Sequence, residues 1–233
     1  MSGHSKWNNI AKRKGANDAK KAAIFTKIGR KMAVAIKEGG SNNPDNNAKL
    51  RDCIAEAKAN NVPNDNIKRM LDKGNQSNVS YESNTYEGYG PSGIAVICET
   101  LTDNRNRTVA DVRHYFDKYG AGLGNAGCVS WQFEQKGVLI IERGDLDEDE
   151  TMMTVLDAGA DDFQADEDCF QIYTAPEDFS AVRDALTEAG FEFAQAEIQM
   201  VPQNTITLES QEDMAQLRKL LDSLEDNDDV QNV

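Results

Sequence analysis

The residues best suited to chemistry are cations gathered around one tryptophan near the N-terminus. Cations neutralise phosphates and release counterions, while an indole ring can stack on an unpaired base. This mixture of residue types predicts a contact with nucleic acid. Arg105 and Arg107, further along the chain, are candidates for a secondary contact. The main candidates are Lys6, Trp7, Lys12, Arg13, Lys14, Lys20, Lys21, Lys27, Arg30 and Lys31.

Each of these candidates also has a purely structural interpretation. Trp7 and Ile10 could anchor the N-terminal arm to a helical domain, and the lysines could form a solvated face that aids solubility. Arg105 and Arg107 begin a helix, where the helix dipole disfavours positive charge. They therefore indicate either a contact with phosphate or protein, or a local salt bridge to Asp103 or Asp111.

The distribution of charge favours the nucleic-acid interpretation. The 233 residues carry a formal net charge of −15. Residues 1–75 nevertheless contain 16 Lys or Arg against 7 Asp or Glu, while the remaining 158 residues contain 9 against 33. The two parts therefore carry net charges of +9 and −24. This asymmetry predicts a basic binding segment on an acidic carrier, with contact to phosphate confined to the basic end.

Residues for enzymatic chemistry are scarce. The sequence contains no Walker A, GxGxxG, GxSxG or HExxH motif. Its two histidines, His4 and His114, have no evident catalytic partners, and its four cysteines form no CxxC pair. The acidic runs lack the ligand pattern of a calcium loop. We therefore expect no enzymatic activity, no cofactor, no metal site and no small-molecule substrate.

The sequence also predicts a cytoplasmic protein without a membrane partner. No stretch approaches 18 consecutive apolar residues, which a membrane-spanning helix would need. The N-terminus is polar and basic and lacks the apolar segment of a signal peptide.

Apolar periodicity predicts three helices in the basic segment. Phe25, Ile28, Met32 and Ile36 recur at helical spacing between a cap at Asn17 or Asp18 and the pair Gly39-Gly40, with most of the cations on the opposite face. A second helix is predicted from Asn43-Pro44 to Val62-Pro63, and a third over residues 64–73. Residues 1–16 are interpreted as a flexible arm.

The acidic part predicts an α+β fold. Residues 138–198 read as β-α-β-β-α-β, the pattern of a ferredoxin-like domain. Pieces before and after it, including strands at 94–100, 129–133 and 205–208, predict a second ferredoxin-like sheet, with Trp131 and Phe133 in its core. We therefore expect three domains, one inserted in another: a helical domain at 1–78, a discontinuous domain at 79–135 plus 200–233, and an inserted domain at 136–199.

Several segments together resemble the YebC family, bacterial proteins labelled probable transcriptional regulators whose mitochondrial relatives are translational activators of cytochrome oxidase. The resemblance is nearly full length and in order. It rests on GHSKW at 3–7, DAKKAAIFTKIGR at 18–30, VPNDNIKRMLDKG at 62–74, YEGYGPSG at 86–93, LTDNRNRTVADVRH at 101–114 and VSWQFEQKG at 129–137.

The resemblance implies a three-domain fold, no enzymatic activity and no cofactor. It leaves two functions open. One is duplex DNA binding that regulates transcription; the other is binding to the ribosome and its RNA, which assists translation of difficult, proline-rich sequences. A surface of mostly lysine contacts phosphates rather than base edges, and a basic arm on an acidic body suits a pocket walled by folded RNA. A third hypothesis is a protein-interaction scaffold that binds no nucleic acid.

Overall fold

The computed structural model describes residues 18–76 and 79–233. By their contacts these residues form two compact units. One contains residues 22–53, 64–76, 79–134 and 202–233, and the other contains residues 18–21, 54–63 and 135–201.

Three helices precede the first strand: α1 (Asp18–Gly39), α2 (Ala48–Ala59) and α3 (Asn64–Gln76). The predicted apolar face of α1 is buried at Ile28, Met32 and Ile36. A 3-10 turn at Pro44–Asn46 comes before α2, so this helix begins later than predicted. Asn47 joins the two helices, because its Nδ2 donates to Ala35 O at 2.7 Å while its Oδ1 accepts from Leu50 N at 3.1 Å.

The first sheet has three strands in the order β1-β2-β7: β1 (Glu82–Tyr89), β2 (Ala95–Thr102) and β7 (Val230–Asn232). Both pairings are antiparallel. Helices α4 (Arg105–Tyr119) and α7 (Gln211–Glu225) contribute to its core. This core contains Val96, Cys98, Val112, Phe116, Leu220, Leu224 and Val230.

The second sheet has four strands in the order β4-β5-β3-β6. Its elements follow the chain as β3 (Phe133–Glu142), α5 (Glu148–Asp157), β4 (Asp162–Ala165), β5 (Cys169–Thr174), α6 (Phe179–Glu188) and β6 (Phe193–Pro202). Leu139, Ile141, Phe170 and Ile172 form the sheet side of a core that both helices cover. This is the β-α-β-β-α-β succession expected from the sequence, and the α+β fold class is confirmed.

Three details of the first sheet were predicted wrongly. Residues 129–132 are not a strand, because a 3-10 turn at Ser130–Gln132 precedes β3, which begins at Phe133. Residues 205–208 form no strand either. The carboxylate of Glu87 explains the first error, since it accepts the backbone N–H groups of Val129 and Ser130 that a strand would offer to its neighbour. Trp131, predicted in the core, is 70% exposed.

The domain boundaries drawn from the sequence stay predictions. None of the helices within the two described ranges is both long and apolar enough to cross a membrane.

A substitution at Gly137 tests the packing of the second sheet. Gly137 pairs with Thr174, and a Cβ atom there would overlap Thr174 Oγ1 and the ring of Phe179. We expect Gly137→Ala to lower the free energy of unfolding by about 1–3 kcal/mol, because nearby atoms would have to move. Amide hydrogen exchange of Leu139 and Ile140 should become faster.

Gly29→Ala is the matched control. A Cβ atom at Gly29 lies at an ordinary contact distance of 3.7 Å from Met70 Cγ. Alanine within a helix should stabilise by about 0.5–1 kcal/mol. Unchanged exchange in Gly137→Ala would contradict the packing described here.

Candidate nucleic-acid interface

Helix α1 carries the described part of the predicted interface. Its buried side, centred on Met32, packs against α3, whose Met70 side chain lies next to Gly29. Lys21 and Lys37 are exposed, while Lys27, Arg30 and Lys31 are partly buried. The candidates Lys6, Trp7, Lys12, Arg13 and Lys14 lie outside the described residues, as does the side chain of Lys20.

Arg30 is held by the segment that follows α7. Its Nη1 donates to Asp229 Oδ1 and to Asp228 O, both at 2.6 Å. The guanidinium carbon also lies 5.8 Å from the centre of the Tyr81 ring, within range of a cation–π interaction. The Arg30 side chain is therefore only 16% exposed. Its role in nucleic-acid binding stays a prediction, but its position shows a second task, the anchoring of α1.

Lys27, one turn earlier in α1, contributes to the same anchor. Its Nζ donates to Glu225 O at 2.5 Å. This carbonyl belongs to the last residue of α7, where unpaired carbonyls and the helix dipole favour a cation. The amphipathic pattern placed Lys27 and Arg30 on a solvent-facing ridge. The structure instead places both against residues 225–229.

Asp229 is the centre of this anchor. Its side chain is 4% exposed and accepts hydrogen bonds from Thr108 Oγ1 at 2.8 Å and Thr102 Oγ1 at 3.2 Å as well as from Arg30. Arg107 donates to both carboxylate oxygens, with Nη2 2.9 Å from Oδ1 and 2.8 Å from Oδ2, and with Nε 3.2 Å from Oδ2. Burial would raise the pKa of Asp229, but the hydrogen bonds from Arg107, Thr108 and Arg30 outweigh it and lower the pKa below its usual range.

The two residues of the predicted secondary contact, Arg105 and Arg107, have different surroundings in the structure. Arg107 forms the local salt bridge that was one of its two interpretations, with Asp103 Oδ1 2.8 Å from Nη2. It also binds Asp229, which the sequence analysis did not foresee. Arg105 is exposed at the first position of α4. Asn104 caps this helix by accepting from Arg107 N at 3.2 Å.

Helix α3 supplies exposed cations that were not among the candidates. Lys68, Arg69 and Lys73 are exposed, while Ile67 of the same helix is buried. The signal was present in the sequence, because these cations avoid the apolar positions of the predicted third helix. Lys21 and Lys37 of α1 are exposed as well, and so are Lys49, Arg51 and Lys58 of α2.

Within residues 18–76 and 79–233, no group of three His, Cys, Asp or Glu side chains could hold a metal ion. The four cysteines are free, and burial raises the pKa of Cys98 to about 12, which keeps this thiol protonated and unreactive at neutral pH.

Comparison with known protein families covers both parts of the chain. Residues 5–77 match the profile described as the TACO1/YebC protein N-terminal domain, and residues 81–233 match that of the TACO1/YebC second and third domain. The chain belongs to the TACO1/YebC family.

Individual relatives extend over the full length. A probable transcriptional regulatory protein from Clostridium tetani is 57% identical and covers 100% of this chain and 95% of the relative. One of the same description from Acetivibrio thermocellus is 54% identical, with coverage of 100% and 97%. The chain also resembles a solved structure, the crystal structure of a conserved hypothetical protein from Aquifex aeolicus, with a TM-score of 0.83 and 39% sequence identity. The match covers 92% of this chain and 89% of the Aquifex aeolicus chain.

Replacement of Asp229 tests the anchor of α1. We expect Asp229→Asn to lower the free energy of unfolding by about 3 kcal/mol near neutral pH, because it leaves buried guanidinium charge without its counterion. The exposed neighbour Asp228 offers only its backbone oxygen to Arg30, so Asp228→Asn is the matched control. Denaturant unfolding monitored by circular dichroism gives both values. Equal stability of the two variants would contradict the assigned role.

The same variant has a defined dependence on pH. The pKa of Asp229 is lowered in the folded state from a usual value of 3.8. Its carboxylate therefore stabilises the fold fully above the unfolded pKa, and this contribution disappears as the pH falls through the folded pKa. The stability difference between the wild type and Asp229→Asn should thus be constant near neutral pH and shrink below about pH 4. A difference that grows on acidification would contradict this assignment.

Proposed function

We propose that this protein is a nucleic-acid-binding regulator of gene expression, acting in the cytoplasm, whose N-terminal basic segment contacts the phosphate backbone. The observation that carries the proposal is the separation of charge, +9 over residues 1–75 against −24 over the rest. Phosphate attracts the first part and is repelled by the second, so a polyanion should approach from one end only. No catalytic step belongs to the proposal.

The proposed contacts are the predicted residues of the arm and α1 together with further exposed cations of α1 and α3. Lys6, Trp7, Lys12, Arg13, Lys14, Lys20, Lys21 and Lys31 stay in the proposal as the sequence predicted them. Lys37, Lys68, Arg69 and Lys73 join them because their side chains are exposed.

Lys27 and Arg30 take a supporting part in this proposal. Both are engaged with residues 225–229, so that a contact with phosphate would compete with the existing hydrogen bonds. We propose that they hold α1 in a fixed position from which the other cations of the helix reach the ligand.

A lysine-rich surface binds nucleic acid strongly but distinguishes little between base sequences. Lysine is a point charge that contacts phosphate oxygens without the bidentate geometry that distinguishes one base pair from another. The relatives are named probable transcriptional regulatory proteins, which favours DNA as the target. We therefore propose DNA binding with weak sequence preference, and RNA binding is the alternative that the second experiment below distinguishes.

Neutralising the arm tests the proposed contact. The triple variant Lys12→Gln, Arg13→Gln, Lys14→Gln should bind a 20-base-pair duplex at least tenfold more weakly than the wild type in fluorescence anisotropy. With about four to six phosphate contacts, the wild type should show a slope near −4 to −5 in a plot of log affinity against log salt concentration. The variant should have a shallower slope, by roughly two to three.

The matched control removes three exposed cations from the acidic part, as Arg113→Gln, Arg218→Gln and Lys219→Gln. It changes the net charge equally and should leave binding almost unaltered. If both triple variants lose the same affinity, overall charge rather than the arm governs binding. If the wild type binds no nucleic acid, the proposal is wrong.

Sedimentation of the tagged protein from a cell lysate identifies the target. Co-migration with DNA that DNase abolishes is the expected result. Co-migration with ribosomal subunits that survives DNase but not RNase would assign the protein to translation instead. Migration that neither nuclease changes would favour the protein-scaffold hypothesis.

A further inference from the structure

Trp131 is a large aromatic side chain displayed on the surface of the acidic part. It lies in the 3-10 turn Ser130–Gln132 and is 70% exposed, more than any other large hydrophobic residue in the described ranges. An indole held in water contributes little to a core, so the fold does not explain this placement. The turn that carries the indole is nevertheless held in place by several hydrogen bonds.

The polar edge of the indole is already occupied. Trp131 Nε1 donates to Cys128 O at 3.2 Å, and the hydroxyl of Tyr89 donates to the same carbonyl at 3.1 Å. Indole has no other hydrogen-bonding group. The exposed part of Trp131 can therefore contact a ligand only through its ring atoms, by stacking or van der Waals packing.

A buried carboxylate fixes the backbone that carries the indole. Glu87 is 6% exposed, and its side chain accepts from Gly127 N at 2.7 Å, Ser130 N at 2.8 Å and Val129 N at 2.9 Å. Burial would raise the pKa of Glu87, but these three N–H donors outweigh it and lower the pKa, so the carboxylate is charged at neutral pH. Charge-assisted hydrogen bonds of this kind are strong, so the turn is held rigidly before any ligand arrives.

On the other side of Trp131, Gln132 O accepts from Gln203 N at 2.9 Å. The turn is therefore held by hydrogen bonds on both sides of the tryptophan.

The segment around the ring lacks the negative charge of its surroundings. Residues 119–133 contain no Asp, Glu, Lys or Arg, and this run of 15 is the longest without charge in residues 76–233. The carboxylate of Glu87, which binds this segment, is buried and bonded to three N–H groups, while the exposed Glu134 follows the segment directly. The segment itself therefore repels a polyanion less than the charged segments of the acidic part do.

We propose that Trp131 is a stacking site for an unpaired base of single-stranded nucleic acid. This inference rests on the proposed function and adds a second contact to it, outside the basic segment. A base fits better than a protein surface because the residues next to Trp131 in the sequence, Ser130 and Gln132, are polar. A protein interface of standard size needs an apolar core of several side chains, whereas stacking needs one ring.

The intrinsic fluorescence of the protein allows a direct test. Its two tryptophans are Trp7 and Trp131, so the emission measurements use proteins with Trp7→Phe, which makes Trp131 the sole emitter. Anisotropy is measured both with and without this change, because Trp7 is itself one of the proposed contacts. A fluorescein-labelled 20-nucleotide oligo(dT), an oligo(U) of the same length and a 20-base-pair duplex are titrated. Anisotropy of the label reports binding, and emission of Trp131 from matching unlabelled strands reports stacking.

We expect both single strands to quench Trp131 with the same midpoint that anisotropy gives, and the duplex to bind without quenching. Trp131→Ala should weaken single-strand binding about tenfold, a typical loss for one stacked base, with duplex binding unchanged. Trp131→Phe should recover most of the affinity, because it keeps an aromatic face. Since Trp131 is exposed, neither variant should affect folding.

Glu87→Gln tests the part of the carboxylate. It preserves size but weakens the three hydrogen bonds, so that single-strand binding should fall, by less than in Trp131→Ala, and the fluorescence anisotropy of Trp131 should decrease as the turn loosens. A Glu87→Gln protein with unchanged tryptophan anisotropy and unchanged affinity would show that the turn needs no such support, against the inference.

Two outcomes separate this inference from the proposed function. If anisotropy shows binding but Trp131 emission does not change and Trp131→Ala binds equally well, the stacking site is wrong and the basic segment remains the contact. If the protein that keeps Trp7 binds no strand or duplex, both are wrong. A shift of Trp131 emission with protein concentration alone would mean that another copy of the chain covers the indole, which would also overturn the stacking site.

Discussion

The position of the basic helix depends on one buried negative charge. The carboxylate of Asp229, 4% exposed, is removed from water and would be strongly destabilising if it stood alone. It is tolerated because two guanidinium groups and two hydroxyl groups donate to it. Removal of any of these donors leaves a charged or polar group without its partner. The arrangement therefore holds together as a network, and it brings α1, the start of α4 and the segment before β7 to one point.

The buried carboxylate of Glu87 is stabilised by hydrogen bonds as well, but its donors are of a different kind. Where Asp229 joins side chains from distant helices, Glu87 accepts the backbone N–H groups of a single turn. Both carboxylates are buried and both have a lowered pKa, since their hydrogen bonds favour the charged form more than burial disfavours it. One network orients a cationic helix, and the other orients an aromatic side chain. In an acidic protein, these two carboxylates are thus distinguished from the many that are solvated.

Periodic patterns made most of the fold predictable. The spacing of Ile28, Met32 and Ile36 placed α1 correctly, and the succession of apolar runs between residues 138 and 198 placed the second sheet. The start of β1 was hard to predict because its sequence, ESNTYEGY, is mostly polar and its pairing with β2 supplies what its composition lacks. Trp131 was misplaced because the alternation of Trp131 and Phe133 resembles a strand, and only the distant Glu87 makes it a turn.

In the candidate site, too, a contact between residues close in the sequence was predictable, whereas a contact between distant residues was not. The salt bridge of Arg107 with Asp103 spans four positions and could be foreseen from the sequence. The link between Arg30 and Asp229 could not, because a helical wheel identifies which face is polar but not which partner that face will meet.

The order in which the chain is synthesised determines when the contact between Arg30 and Asp229 can form. Arg30 and Asp229 are 199 positions apart, so the ribosome makes the basic helix long before it makes the carboxylate that secures it. During that interval, α1 can form locally, but Arg30 has no counterion of its own to bind. Contacts of such separation close late in folding, because the intervening chain must first become ordered. Until then Lys27 and Arg30 lack the partners that hold them in the folded protein, so α1 reaches its final position only after residues 225–229 have been made.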